Sequence, residues 1–184
     1  RLDEAIREVN LARELDPLSL VVNTNVGWVL FMARRNDEAI AQYVKTLELN
    51  PGYVQAHTRL GDAYVRANRH RDAIAELTTV VRLTKDSASS RVALAQVSAL
   101  AGHAADAVRL LNRALQERDD KYLSSGAIAN AYVALGHDDK AFDWLERSYR
   151  ERANNVAYLA VEPLYDRIRQ QPRFRALVSA VGLP

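Results

Sequence analysis

One spacing constrains this chain more than any other property. An alanine followed by an apolar residue recurs as Ala5-Ile6, Ala39-Ile40, Ala73-Ile74, Ala107-Val108 and Ala141-Phe142, a constant step of 34 residues without insertion. Small residues upstream keep the step at Gly27, Gly61, Ala95 and Ala129, and a third series runs Ala12, Thr46, Val80, Ala114, Ser148. Pro17 and Pro51 share it, while Lys85, Asp119 and Ala153 take the later places. A fixed period of this length marks a repeat architecture, in which each unit buries its apolar face only by stacking on its neighbours. A small residue on one helix opposite alanine on the next lets two axes approach at the short end of the usual ~8–10 Å separation. Larger side chains there would overpack the contact, typically by about 1–3 kcal/mol.

The same phase carries a motif. One copy reads Leu60-Gly61, Tyr64, Ala73 and Leu77; the copy before it reads Val26-Gly27, Leu30, Ala39, Tyr43 and Pro51. Two later copies read Leu94-Ala95, Ser98, Ala107, Leu111 and Ile128-Ala129, Tyr132, Ala141, Leu145. With a 34-residue period this resembles the tetratricopeptide repeat (TPR), a helix–turn–helix unit with the pattern W-x2-L-G-x2-Y…A-x3-F…P. The chain departs from it at the tryptophan, whose place is taken by Asn23, His57, Arg91 and Ser125. The resemblance implies an all-α fold, a right-handed α–α superhelix. It would hold one half repeat, four full repeats and a short helical C-terminal cap.

Helical spacing of Leu2, Ile6, Val9, Ala12 and Leu15 makes 1–17 the second helix of a truncated repeat. The full repeats are 18–51, 52–85, 86–119 and 120–153, with helices expected at 20–34 and 37–49, 54–67 and 71–83, 87–101 and 104–117, 121–135 and 138–151. Acidic residues precede or open each second helix (Asp37-Glu38, Asp72, Asp106, Asp138-Asp139), where the helix dipole favours negative charge. After Arg152 the period is expected to fail: Asn154-Asn155 interrupt, an apolar segment 156–161 follows, and Pro163 and Pro172 each open a short amphipathic helix. The segment 154–184 would cap the stack. Unbroken phase argues for one continuous solenoid. Arg1 is not an initiator and the chain opens inside a repeat, so the sequence reads as a piece of a longer protein.

The tail carries a second resemblance. Trp144-Leu145-Glu146, Leu159, Glu162-Pro163-Leu164-Tyr165-Asp166, Arg169, Pro172-Arg173-Phe174 and Leu177 resemble the end of TPR regions in bacterial multidomain regulators. In such families the repeats follow a winged-helix DNA-binding domain, a nucleotide cyclase or a Ser/Thr kinase domain.

Composition narrows the function classes. A formal net charge of +2 exerts no strong pull toward nucleic acid or membrane. The chain has no cysteine, hence neither a disulfide framework nor a thiol zinc site. No apolar run reaches the roughly 20 residues that span a bilayer, and no signal peptide is visible. Localisation stays open between cytoplasm and, if an upstream segment crosses a membrane, periplasm. No Ser/His/Asp ordering, Gly-rich phosphate loop or H-E-x-x-H occurs, so no catalytic site or cofactor is expected. His70, His103 and His137 fall in turns without a third ligand, and no metal is expected.

In the family, first helices of successive pairs line the concave face. The resemblance therefore nominates Val21, Thr24, Asn25, Trp28 and Met32, then Gln55, Thr58, Arg59, Asp62 and Arg66, one step on Gln96 with Ser89, Val92, Ala93 and Leu100, and last Asn130 with Leu123, Gly126, Ala127 and Ala134. An extended peptide or amphipathic helix would anchor an apolar side chain at Trp28 and an acidic group near Arg59. Against that stands a packing role for Trp28 and Phe31 against a preceding helix. One subfamily grips a carboxylate terminus through Asn and Lys-x3-Arg; Asn25 and Arg59 take two of those places, but Gln55 stands where the lysine belongs. The leading expectation is a non-catalytic interaction scaffold that binds a peptide or protein segment. The alternative is a regulatory or sensor segment that packs on its own output domain or binds a small ligand. Nucleic-acid contact is not expected, and the uncapped first helix leaves a homodimer open.

Overall fold

A computed structural model of the chain describes residues 2–117 and 123–182. The described residues are helix and turn, with no strand among them. They form α1 (Leu2–Leu15), α2 (Leu20–Met32), α3 (Asn36–Leu49), α4 (Val54–Arg66), α5 (His70–Leu83), α6 (Ala88–Leu100), α7 (Ala104–Gln116), α8 (Ser125–Leu135), α9 (Asp138–Arg150) and α10 (Pro172–Val181). Two 3-10 turns, Asn154–Tyr158 and Pro163–Tyr165, precede α10. The repeat boundary expected at 119/120, the repeat place of Asp119 and the helix start expected at 121 lie outside the described residues. Helix α8 starts at Ser125 because Ser124 is its N-cap, its side chain accepting from the Ala127 amide. Ser19 and Ser87 cap α2 and α6 in the same way. No helix among the described residues is long and apolar enough to cross a membrane.

The chain divides into two compact units, Arg1–Asp86 and Ser87–Pro184, one residue past the repeat boundary expected at 85/86. In the first, α2 pairs with α3 and α4 with α5. The close approach anticipated at Gly27 is real: a Cβ there would lie 2.4 Å from the Tyr43 ring, so the ring lies flush on the glycine backbone. Gly61 takes Leu77 in the same manner, at 3.2 Å. The core of this unit gathers Val26, Leu30, Phe31, Ala39, Ile40, Tyr43, Leu60 and Ala63. Ala39 and Ala73 are fully buried, as close-packed helices require.

In the second unit α6 pairs with α7 and α8 with α9. One core runs from Ala88 to Leu177 and takes in Leu111, Ile128, Phe142, Leu159, Tyr165 and Phe174. The tail is therefore part of the packed interior. The step nevertheless reappears in one helix start beyond Arg152, where the repeat pattern was expected to fail. Second helices begin at Asn36, His70, Ala104 and Asp138, and α10 begins at Pro172, again 34 residues on. What fails is the first helix of that pair. A short α-helix expected from Pro163 is only the turn Pro163–Tyr165, and the stretch around it turns without a continuous ladder.

Side chains rather than helical backbone fix this stretch. The Tyr165 hydroxyl donates to Asn130 Oδ1 at 2.6 Å. Arg167 forks onto the Asp138 carboxylate at 2.5 and 3.0 Å and reaches the Val133 carbonyl at 3.1 Å. Asn155 lies over Gly126, where a Cβ would meet it at 2.3 Å, and accepts from the Ser148 hydroxyl at 2.6 Å.

Candidate functional site

Helix packing decides which of the nominated residues meet. Helices α2 and α4 are successive first helices of the first unit. Across them the Arg59 guanidinium lies 4.2 Å from the centre of the Trp28 ring. Farther along α4, Arg66 lies 3.4 Å from the Phe31 ring centre, and its Nη1 donates to the Phe31 carbonyl at 2.8 Å. The two rings stack on each other with centroids 5.6 Å apart. Each guanidinium–ring contact stabilises by about 0.5–1 kcal/mol when exposed and by ~2 kcal/mol when desolvated. The geometry matters more than the energy: a guanidinium held over a ring keeps N–H groups at its edge for a planar acceptor such as carboxylate.

Around this run the surface is mixed. Val21 and Met32 are exposed at 58% and 40%, and Asn25 on α2 and Gln55 on α4 are exposed as well. Gln55 accepts from the Tyr53 hydroxyl at 2.9 Å. Asp62 stands 3.8 Å from Arg59, beyond hydrogen-bond range and screened by solvent. Phe31, set aside from the sequence as a packing residue, is buried and yet supplies the ring for Arg66.

Other nominated residues are engaged elsewhere or lie in the second unit. Thr24 is 2% exposed and its hydroxyl donates to the Leu20 carbonyl at 2.7 Å, so it faces the core and offers nothing to a partner. Its position follows α2's buried stripe of Asn23, Val26, Gly27 and Leu30. Gln96 and Asn130 belong to the second unit. Gln96 is half-buried on α6, and Asn130 already accepts the Tyr165 hydroxyl. With Asn155 over Gly126, the chain's own tail takes the part of α8 assigned from sequence to a ligand.

These hairpins match known proteins in the expected way. A family model described as tetratricopeptide repeat matches residues 30–97. The whole chain superposes on TTC0263, a thermophilic TPR protein in Thermus thermophilus, at a TM-score of 0.67 with 18% identity, covering 92% of that chain. It also superposes over 97% of its length on a crystal structure of the APC/C hetero-tetramer Cut9–Hcn1 (TM-score 0.73, 14% identity), spanning 36% of that chain. A third likeness is to YrrB, described as a TPR protein with an unusual peptide-binding site (TM-score 0.54, 16% identity, 93% of this chain and 89% of that one). The hairpins within residues 30–97 are tetratricopeptide repeats. A sequence search of curated proteins returned no match. Tetratricopeptide repeats generally mediate protein–protein interactions, binding protein or peptide partners, and are typically non-enzymatic.

Across the four hairpins the missing tryptophan has a physical substitute. Each residue at its place is buried and bonded to a polar side chain of the same hairpin's second helix or its end. Asn23 Oδ1 accepts from Gln42 at 2.9 Å, and His57 Nδ1 lies 2.6 Å from Glu76. Arg91 pairs with Glu117, and the Ser125 hydroxyl donates to Glu151 at 2.6 Å. Gln42 and Glu76 are one repeat apart, as are Glu117 and Glu151. Polar pairs thus replace an indole in tying the helices together.

Proposed function

We propose that the chain is a non-catalytic interaction module that holds a protein or peptide segment on the first-helix face of its first unit. The carrying observation is the Arg59 guanidinium poised 4.2 Å over the Trp28 ring, on successive first helices. Arg59 presents its N–H edge to an acidic side chain or chain terminus of the partner. Exposed Met32 and Val21 and the outer edge of Trp28 receive an apolar neighbour of that acid. Asp62, 3.8 Å from Arg59, disfavours a second acid at the same point and so fixes register.

Two panels of labelled peptides test this, one placing an acidic residue beside leucine and the other lysine beside leucine. The acidic panel is expected to bind. Arg59→Glu should weaken it by about tenfold or more while thermal unfolding moves little, because the side chain is partly exposed. Equal binding of the lysine panel, or undiminished affinity in the variant, would remove Arg59 and Trp28 from the site.

A further inference from the structure

The first unit holds a cleft of about 270 Å³ between α1, α2 and α3, floored by Ile6, Val26 and Leu30. Moving one repeat along the chain explains why it is there. Tyr64 stands one step from Leu30, and Arg69, one step from Arg35, holds its guanidinium 4.5 Å over the Tyr64 ring. Arg35 lines the cleft with an equivalent carboxylate partner, Glu38 at 2.6 Å where Arg69 has Asp72 at 2.7 Å. Leu30, however, provides no ring beneath it. The walls differ as well. Arg13 and Lys45 line the cleft, and one step on their places are taken by Leu47 and Thr79. Arg13 is held in position, its Nη1 donating at 3.0 Å to the buried amide of Gln42, which in turn donates to Asn23 at 2.9 Å. Glu38 is the acid in the wall, and Arg35 engages both of its oxygens at 2.6 Å.

We propose that this cleft binds a compact aromatic carboxylate. Its ring takes the place that Tyr64 fills in the next hairpin, against Arg35, and its acid is held by Arg13 and Lys45. A ring beside Arg35 completes the cation–ring contact that Arg69 makes within the chain. Two cations meet the acid, one of them pre-positioned by Gln42, leaving N–H groups for a carboxylate. The volume lies near the small end of ligand sites, roughly 300–1,000 Å³, which suits one ring with its acid and excludes an extended chain. The cleft is lined by α1 and α3 as well as α2, so this site is independent of the Trp28–Arg59 face.

Isothermal titration of the chain with 3-phenylpropionate tests it, with 3-phenylpropanamide and butyrate as probes lacking the charge and the ring. Saturable binding of 3-phenylpropionate is expected, weakened about tenfold for either control. Leu30→Tyr, which installs the next hairpin's ring, should abolish binding without lowering the unfolding temperature. Lys45→Glu should weaken it by about tenfold. No saturation by about 10 mM, equal binding of the controls, or unchanged affinity in Lys45→Glu would each overturn the proposal. If Leu30→Tyr fails to fold, the exposed Lys45 decides alone.

Discussion

Arg34 has φ +60°, a left-handed backbone conformation that L side chains other than Asn and Asp seldom adopt. The reason is positional. Residues 34, 68, 102 and 136 all have positive φ, and each follows the first helix of a hairpin. At each one the amide of the next residue bonds back to the last turn, as Arg35 N donates to the Leu30 carbonyl at 3.0 Å and His103 N to the Ser98 carbonyl at 2.8 Å. The chain fills these four equivalent places with Arg, Asn, Gly and Gly. Glycine relieves the left-handed penalty and loses part of the gain to its greater freedom when unfolded. Arg34→Gly should therefore stabilise the first unit by about 0.5–1 kcal/mol. A urea transition followed by Trp28 fluorescence would show the midpoint rise; a fall would mean that Arg34 makes a contact outweighing the strain. The same scale separates nominated residues that meet from one that does not. Trp28, Arg59 and Asp62 meet because a constant step places two first helices side by side. Thr24 was nominated by the same counting, yet a short hydroxyl that can bond its own helix backbone is as content in a core as on a surface.

At the scale of elements, the helix hairpins were legible because small residues, apolar stripes and first-turn acids repeat together. Predicted and observed helix ends agree to within a residue or two for α2 to α7 and for α9. The tail was not legible, because its partners are side chains on other helices and a periodic pattern cannot announce them. Arg167 illustrates this. Hydrogen-bonded to Asp138, it holds that carboxyl below the ordinary aspartate value of 3.8, against partial desolvation that pushes the other way, and Gln171 adds a further donor. A depressed folded-state value means that this contribution is fully present above the unfolded value. It is lost as the pH falls from there through the lowered one. Asp138→Asn should cost the second unit roughly 1 kcal/mol at neutral pH, after discounting for solvent. Its stability should also fall less than the wild type's on acidification below about pH 4. Urea midpoints followed by Trp144 across that range check both statements, and parallel curves for the two proteins would dissociate Asp138 from tail docking.

At the scale of the whole molecule, the 34-residue step runs through both units, and each unit has a core of its own. Val26 to Ala63 form one core and Ala88 to Leu177 another. The step was visible in the alanines alone. The division was not, because every copy carries the same small residues whether or not its core is shared with the next. Repeat proteins sum local stabilities and neighbour terms, so a lesion is felt first where it is made. The chain's two tryptophans report on this separately: Trp28 packs on the first core and Trp144 on the second. Ala39 is fully buried in the first core between α2 and α3, and Ala39→Leu adds volume that this contact has no room for. Overpacking of this kind should destabilise by about 1–3 kcal/mol. In variants keeping one tryptophan each, the urea midpoint reported by Trp28 should fall by that amount while the midpoint reported by Trp144 moves by less than half as much. Equal shifts at both reporters would mean that the two cores melt as one cooperative body, and local stability would then be the wrong unit of account for this chain.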